Sequence, residues 1–300
     1  MYATKVSDQV YLLDTFALGH ARTVAAYVVK GPRPTLVDCG YASSYASVLA
    51  GLSEIGVSPS DLRYVIPTHV HLDHAGATGR LLKEMPNAEV IAHEKGVPHL
   101  VDPARLIESA TRVFGEATME LYGLPLPVDK ERITAVGKET SLDLGDGMTA
   151  LLMHTPGHAP HQISVSLDGP KMILTADAVG IAYPDLKTVI PTTPPPSFDP
   201  AQLVLSVGLL ERTDPKGLLL PHYGLNLETD RVFRETREKV PEWVKDVGEM
   251  KSAGKELDGI SESMEARVKK EAGVDELAVY ARVSVRSSVM GILHYLSKNP

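Results

Sequence analysis

Three histidines and an aspartate crowd into the stretch Thr68-His69-Val70-His71-Leu72-Asp73-His74-Ala75-Gly76, directly after the apolar run Tyr64-Val65-Ile66-Pro67. Imidazole nitrogens and a carboxylate at this density suit a transition-metal cation better than any covalent chemistry. In an extended segment alternate residues point the same way, so His69 and His71 can meet one cation. Asp73 and His74 follow as the chain turns and can face a second one. The donor set fits zinc, and also iron, manganese or cobalt.

Two cations need more ligands than these four, and later segments offer them. Leu151-Leu152-Met153 leads into His154-Thr155-Pro156-Gly157-His158, Met172-Ile173-Leu174 into Thr175-Ala176-Asp177, and Leu218-Leu219-Leu220 into Pro221-His222-Tyr223-Gly224. An apolar strand ending in a turn that carries a ligand, repeated four times, describes a metal cleft along one edge of a β-sandwich.

In the order His69, His71, Asp73, His74, then His158, Asp177 and His222, the chain resembles the metallo-β-lactamase-fold hydrolases, over roughly residues 1–225, in the branch of glyoxalase-II-like thioesterases and lactonases. The resemblance implies an α/β fold, a four-layer αββα sandwich, here with a C-terminal helical extension. It implies one metal on His69, His71 and His158, a second on Asp73, His74 and His222, and Asp177 bridging them. Asp38, in Leu36-Val37-Asp38-Cys39-Gly40, matches a family position that braces a metal-binding histidine. The implied reaction is attack by a metal-bridging hydroxide on a small ester, thioester or lactone, with Asp73 orienting the nucleophile and passing a proton to the leaving atom. The expected cofactors are two divalent ions, zinc first, with iron or manganese as alternatives.

Other readings belong to other branches of the fold. An iron-dependent sulfur dioxygenase needs the same ligand types. Diiron reductases typically carry glutamate where this chain has His71. Lactamases with a cysteine ligand differ at Asp177, and nucleases call for a basic tract. Tyr223 is a candidate oxyanion donor beside His222, His161 a candidate helper near His158, and His20 a residue of a loop that overhangs the cleft in the family. His93, His99 and His294 read as structural or surface residues.

The elements that must position these groups follow from periodicity. Short strands are expected at 10–13, 24–29 and 35–38, with Gly31-Pro32-Arg33-Pro34 as a hairpin connection. A helix is expected at 43–55, another at about 76–85 after the metal loop, and a strand at 89–92. Residues 93–130 read as helical pieces broken by Pro98, Pro103, Gly115 and Gly123-Leu124-Pro125, an insertion able to cover the cleft through Phe114, Met119, Leu121, Tyr122 and Leu124. Strands are expected again at 132–136, 147–154, 162–167 and 171–176. The prolines of 192–200 favour a stiff extended wall, and Asp199 caps a helix at 200–212. The catalytic domain is expected to span 1–225. The rest, 226–300, reads as three helices, the first bent at Pro241, and in the last Tyr280, Val283, Met290, Leu293 and Leu296 recur at helical spacing as a candidate apolar stripe. These helices could pack on the sandwich, shield the cleft or pair two copies in a homodimer.

Composition narrows the partners. Hydrophobic residues make up 43% of the chain, enough for a sizeable core, and the net charge is −8. That balance points away from nucleic acid and membrane surfaces and towards a small-molecule substrate. A single cysteine, Cys39, excludes an intramolecular disulfide and reads as a buried strand-end residue. No leader pattern is seen at Met1-Tyr2-Ala3, so a cytoplasmic setting is expected. Only six Asn and Gln residues occur, a depletion that favours a heat-adapted source.

Overall fold

The computed structural model describes residues 1–183 and 186–299. The chain divides into two compact units, Met1–His154 with Ile163–Leu174, and Thr155–Gln162 with Thr175–Pro300.

The first unit is built on a seven-stranded sheet in chain order: β1 (Ala3–Lys5), β2 (Val10–Asp14), β3 (Ala25–Val29), β4 (Thr35–Val37), β5 (Tyr64–Ile66), β6 (Glu89–His93) and β7 (Ile133–Val136). β1 to β4 pair antiparallel, and β4 to β7 pair parallel. Parallel neighbours need crossovers. These are α1 (Tyr45–Glu54), then α2 (Leu72–Ala75) and α3 (Thr78–Leu81), then α4 (Val97–Val101), α5 (Ala104–Phe114) and α6 (Glu116–Tyr122). β3, β4 and β5 are buried at every position, as strands covered on both faces must be. Leu13, Val28, Leu36, Val48, Leu52, Val65, Leu81 and Met85 share one core. The pairing of Val37 with Ile66 sets the carboxyl ends of β4 and β5 side by side, so Asp38 lies next to the histidine-rich loop.

A helix is expected from about residue 76; instead it starts at Leu72, inside the motif, and carries Asp73 and His74 in its first turn. It lapses at Gly76-Ala77 and resumes as α3. Tertiary bonds replace the helical ladder here: the His74 carbonyl accepts from Cys39 N–H (2.7 Å), and Ala77 N–H donates to Gly40 (3.1 Å). At Gly76 a Cβ would sit 2.2 Å from the Leu72 oxygen of its own turn and 2.8 Å from the Ala42 nitrogen of the loop after β4.

The same unit holds an antiparallel meander of β8 (Glu139–Gly145), β9 (Met148–His154), β10 (Ile163–Leu167) and β11 (Met172–Leu174). β8 escapes the sequence pattern because its other face is solvated, leaving Leu142 and Leu144 as its only large apolar residues. Asp146 and Gly147 both take positive φ, the requirement of a tight hairpin turn.

The second unit contains the hairpin of β12 (Gly217–Leu220) and β13 (Gly224–Asn226), with α7 (Pro200–Glu211), α8 (Thr229–Ser252), α9 (Leu257–Ala272) and α10 (Val279–Lys298). The Asp199 carboxylate accepts Gln202 N–H (3.0 Å), capping α7 as expected, with Pro200 at its first position. α8 continues as one helix through Pro241 and buries Val232, Phe233, Val240, Trp243 and Val247. α10 buries a different stripe from the one expected: Ala281, Val285, Ser288, Val289, Gly291 and Ile292, while Val283 is 45% exposed. Small residues let its backbone approach its neighbours, and counting large apolar side chains misses such a face. Lys239 pairs with Glu235 (3.2 Å) and Glu271 (2.8 Å), and Arg267 with Glu242 (2.7 Å), Glu271 (2.6 Å) and Asp246, tying α8 to α9. Among the described residues no helix is long and apolar enough to cross a membrane.

Candidate metal centre

Each unit carries part of the expected ligand set. In the first, Asp38 ends β4 in the left-handed conformation (φ 57°), which aspartate tolerates. Its Oδ1 accepts Thr68 N–H (2.8 Å) and the Thr68 hydroxyl (2.9 Å), and its Oδ2 accepts from His74 Nδ1 (2.9 Å). Asp38, Thr68, His69 and His74 are all buried, so these bonds operate where an unpaired charge would be costly. A proton on His74 Nδ1 leaves Nε2 with its lone pair, and Nε2 faces Asp73 Oδ2 at 3.7 Å. His69 Nε2 and His71 Nδ1 stand 3.0 Å apart, and the Thr68 hydroxyl lies 3.2 Å from His69 Nδ1.

In the second unit, His158 Nδ1 donates to the Thr192 carbonyl (3.1 Å), and His222 Nδ1 lies 3.1 Å from the Tyr280 hydroxyl. Both rings turn Nε2 towards Asp177, His158 to Oδ2 at 3.4 Å and His222 to Oδ1 at 3.7 Å. One carboxylate thus offers a different oxygen to each imidazole. Asp177 sits in a tight turn after β11; its N–H donates to Gln162 Oε1 (3.2 Å), and its carbonyl accepts the Thr192 hydroxyl (3.0 Å). Gly157 (φ 133°) lies flat on α7, where a Cβ would come 2.3 Å from the Leu203 backbone, and this fixes the loop that presents His158.

The donors fit a divalent cation of the zinc, iron or manganese type: imidazoles, three of which (His74, His158 and His222) are anchored through Nδ1, together with carboxylates. Cys39 stands outside the donor groups: its buried sulfur accepts the Thr78 hydroxyl at 3.5 Å, and burial pushes its thiol up to about 12. Of the auxiliary residues, His20 is exposed in the β2–β3 loop, His161 is buried in the loop of His158, and Tyr223 is half-buried between β12 and β13. Sequence reasoning passed over Thr68, Gln162, Thr192 and Tyr280 as supports. Thr68 and Gln162 adjoin ligand candidates and were findable; Thr192 and Tyr280 are remote in sequence.

Beside Asp73 lies an aromatic shelf. Tyr41 and Tyr122 stack at 4.3 Å, and Phe114 meets Tyr122 edge-on at 5.8 Å. Burial raises the Tyr122 phenol pKa, the Tyr41 hydroxyl lowers it, and the Asp73 charge raises it further. Phe114 (38%) and Leu121 (65%) remain exposed.

Two sheets with helices, and histidine and aspartate donors at strand ends, define an α/β fold whose donor set could hold a divalent cation. The chain belongs to the metallo-beta-lactamase superfamily, whose family model matches residues 21–222. Members of that superfamily are generally metal-dependent hydrolases. The metallo-beta-lactamase fold-containing protein ST1585 of Sulfurisphaera tokodaii is 32% identical over 173 residues, 56% of this chain and 61% of that protein. The N-acyl homoserine lactonase AttM of Azorhizobium caulinodans is 30% identical over 136 residues, 43% of this chain and 46% of that protein. The chain therefore aligns with less than two thirds of the length of either relative. Among solved structures, the metallo-beta-lactamase family protein TTHA1429 of Thermus thermophilus superposes with TM-score 0.71 at 19% identity, over 98% of this chain and 95% of that one. The ST1585 structure gives 0.65 at 24% identity, over 92% and 93%. The fold is that of the superfamily.

Proposed function

We propose that the two ligand sets form one dinuclear centre and that the protein hydrolyses a small ester, thioester or lactone. The observation that carries this reading is the Asp177 carboxylate, which offers one oxygen to His158 and the other to His222 while both rings are anchored behind. His69, His71 and His158 would hold one ion, Asp73, His74 and His222 the other, with Asp177 between them. Bound divalent cations supply Lewis acidity and make water a nucleophile at neutral pH. Asp73, half-buried at the start of α2, would orient that water and carry its proton to the leaving atom. The similarity to a lactonase supports an acyl or lactone substrate, and Phe114, exposed and backed by the buried Tyr41–Tyr122 stack, would offer its apolar part a surface.

The test is metal content of native protein by mass spectrometry, then turnover of lactones, thioesters and phosphoesters. Two equivalents of metal and hydrolysis of an acyl substrate are expected, with Asp73→Ala slower by about 100-fold or more. One equivalent of iron, with oxygen uptake on a persulfide and no hydrolysis, would replace the reading with a dioxygenase.

A further inference from the structure

We propose that α10 is part of the metal site's support, with Tyr280 positioning His222 and the Ser288–Gly291 stretch positioning His158. The inference rests on reading those two histidines as ligands. Tyr280 Oη lies 3.1 Å from His222 Nδ1, and the two rings stack with centroids 5.3 Å apart at 29°. Tyr183 packs edge-on against Tyr280, which steadies the phenol. An imidazole that gives Nε2 to a cation keeps its proton on Nδ1, so the Tyr280 oxygen accepts a hydrogen bond from that N–H and fixes both tautomer and ring rotation. The arrangement differs from the one at His74, where a carboxylate plays this part. A neutral phenol is a weaker acceptor than a carboxylate.

The second contact lies two to three turns further along the helix. The Ser288 hydroxyl donates to the Pro191 carbonyl (2.7 Å) and accepts Thr193 N–H (3.3 Å), while the Thr193 hydroxyl donates to the Ser288 carbonyl (3.1 Å). At Gly291 an added Cβ would stand 1.7 Å from the Thr193 oxygen and 2.6 Å from the Pro194 carbonyl carbon. The helix backbone therefore presses directly on the segment whose Thr192 carbonyl accepts from His158. Two of the three candidate ligands in this unit thus owe their orientation to a helix that starts well beyond both.

The experiment measures zinc affinity of the metal-free full-length protein by competition with a chromophoric chelator, and the absorption spectrum of the cobalt-loaded form. Tyr280→Phe keeps the ring and removes the acceptor. It should weaken one of two sites by about 10- to 100-fold and alter the cobalt spectrum, with the melting temperature of the metal-free protein close to the parent's. Ser288→Ala should weaken binding several-fold, with circular dichroism confirming the fold. His222→Ala is the control. If it abolishes one site while Tyr280→Phe binds within twofold of the parent, the role of Tyr280 is overturned and the ligand reading stands. Parent affinity in Ser288→Ala overturns the hold on His158. Parent affinity in His222→Ala overturns the ligand reading and this inference with it.

Discussion

Replacing Asp38 by Asn isolates the tautomer of His74 from everything else Asp38 does. Asparagine tolerates the left-handed backbone at this position and is isosteric with aspartate, so neither strain nor a cavity is introduced. What changes is acceptor count. Thr68 N–H uses one carboxylate oxygen and His74 Nδ1 the other. An amide has a single oxygen, so either orientation sets its NH2 group against an N–H donor. If the oxygen stays with Thr68, His74 either loses a charge-assisted hydrogen bond, about 1.5–3 kcal/mol, or moves its proton to Nε2. The first outcome loosens a ligand and the second removes it. Affinity at the site served by His74 should fall by at least about 10- to 100-fold, equivalent to about 1.4–2.7 kcal/mol. The metal-free protein should lose no more than about 3 kcal/mol of stability, because the Thr68 bonds survive. The assay is metal per chain after dialysis, chelator competition and a thermal melt of the metal-free form. An Asp38→Asn protein that keeps both metals at parental affinity would refute the claim that this carboxylate sets the ligand state of His74.

Two further outcomes follow from packing and from titration. Gly157→Ala forces a Cβ to within 2.3 Å of the Leu203 backbone at φ 133°, and should cost about 2–5 kcal/mol by denaturant unfolding and lower metal content through His158; stability within about 0.5 kcal/mol of the parent would contradict it. His93, 3% exposed and stacked on His154 at 4.0 Å, is held down to about 4 by burial and by the neighbouring imidazole. The native state thus keeps it neutral while the unfolded chain binds a proton from about pH 6.5 downward. Stability is therefore full above that pH, falls as pH drops towards 4, and loses about 3 kcal/mol over the window. His93→Gln should flatten this part of the profile, as measured by urea unfolding between pH 7 and 4.5.

The histidine-rich signature and the strands that present it were legible because both follow local rules: apolar runs, then a turn bearing a donor. Asp199 was legible for the same reason, since capping is decided within four residues. The start of α2 was not, because the hydrogen bonds that interrupt its ladder come from Cys39 and Gly40, remote in sequence. β8 was hidden by its solvated face, and the buried face of α10 by its small residues. Helical spacing placed Tyr280 on an apolar stripe and missed its polar end, because nothing near residue 280 announces a histidine at 222. Periodicity reports which side of an element is apolar. It carries no information on which distant atom a hydroxyl will meet.

Gly76 closes the signature and is its chemically inert member, bearing no donor and no charge. The room it lacks is taken by the Leu72 oxygen and the Ala42 nitrogen. A glycine there records crowding behind the reactive groups, so even alanine at 76 would push apart the two loops that bring Asp38 to His74. A search pattern that treats all positions of the signature as equivalent therefore mixes two demands, one set by the cation and one by the thickness of the backbone beneath it.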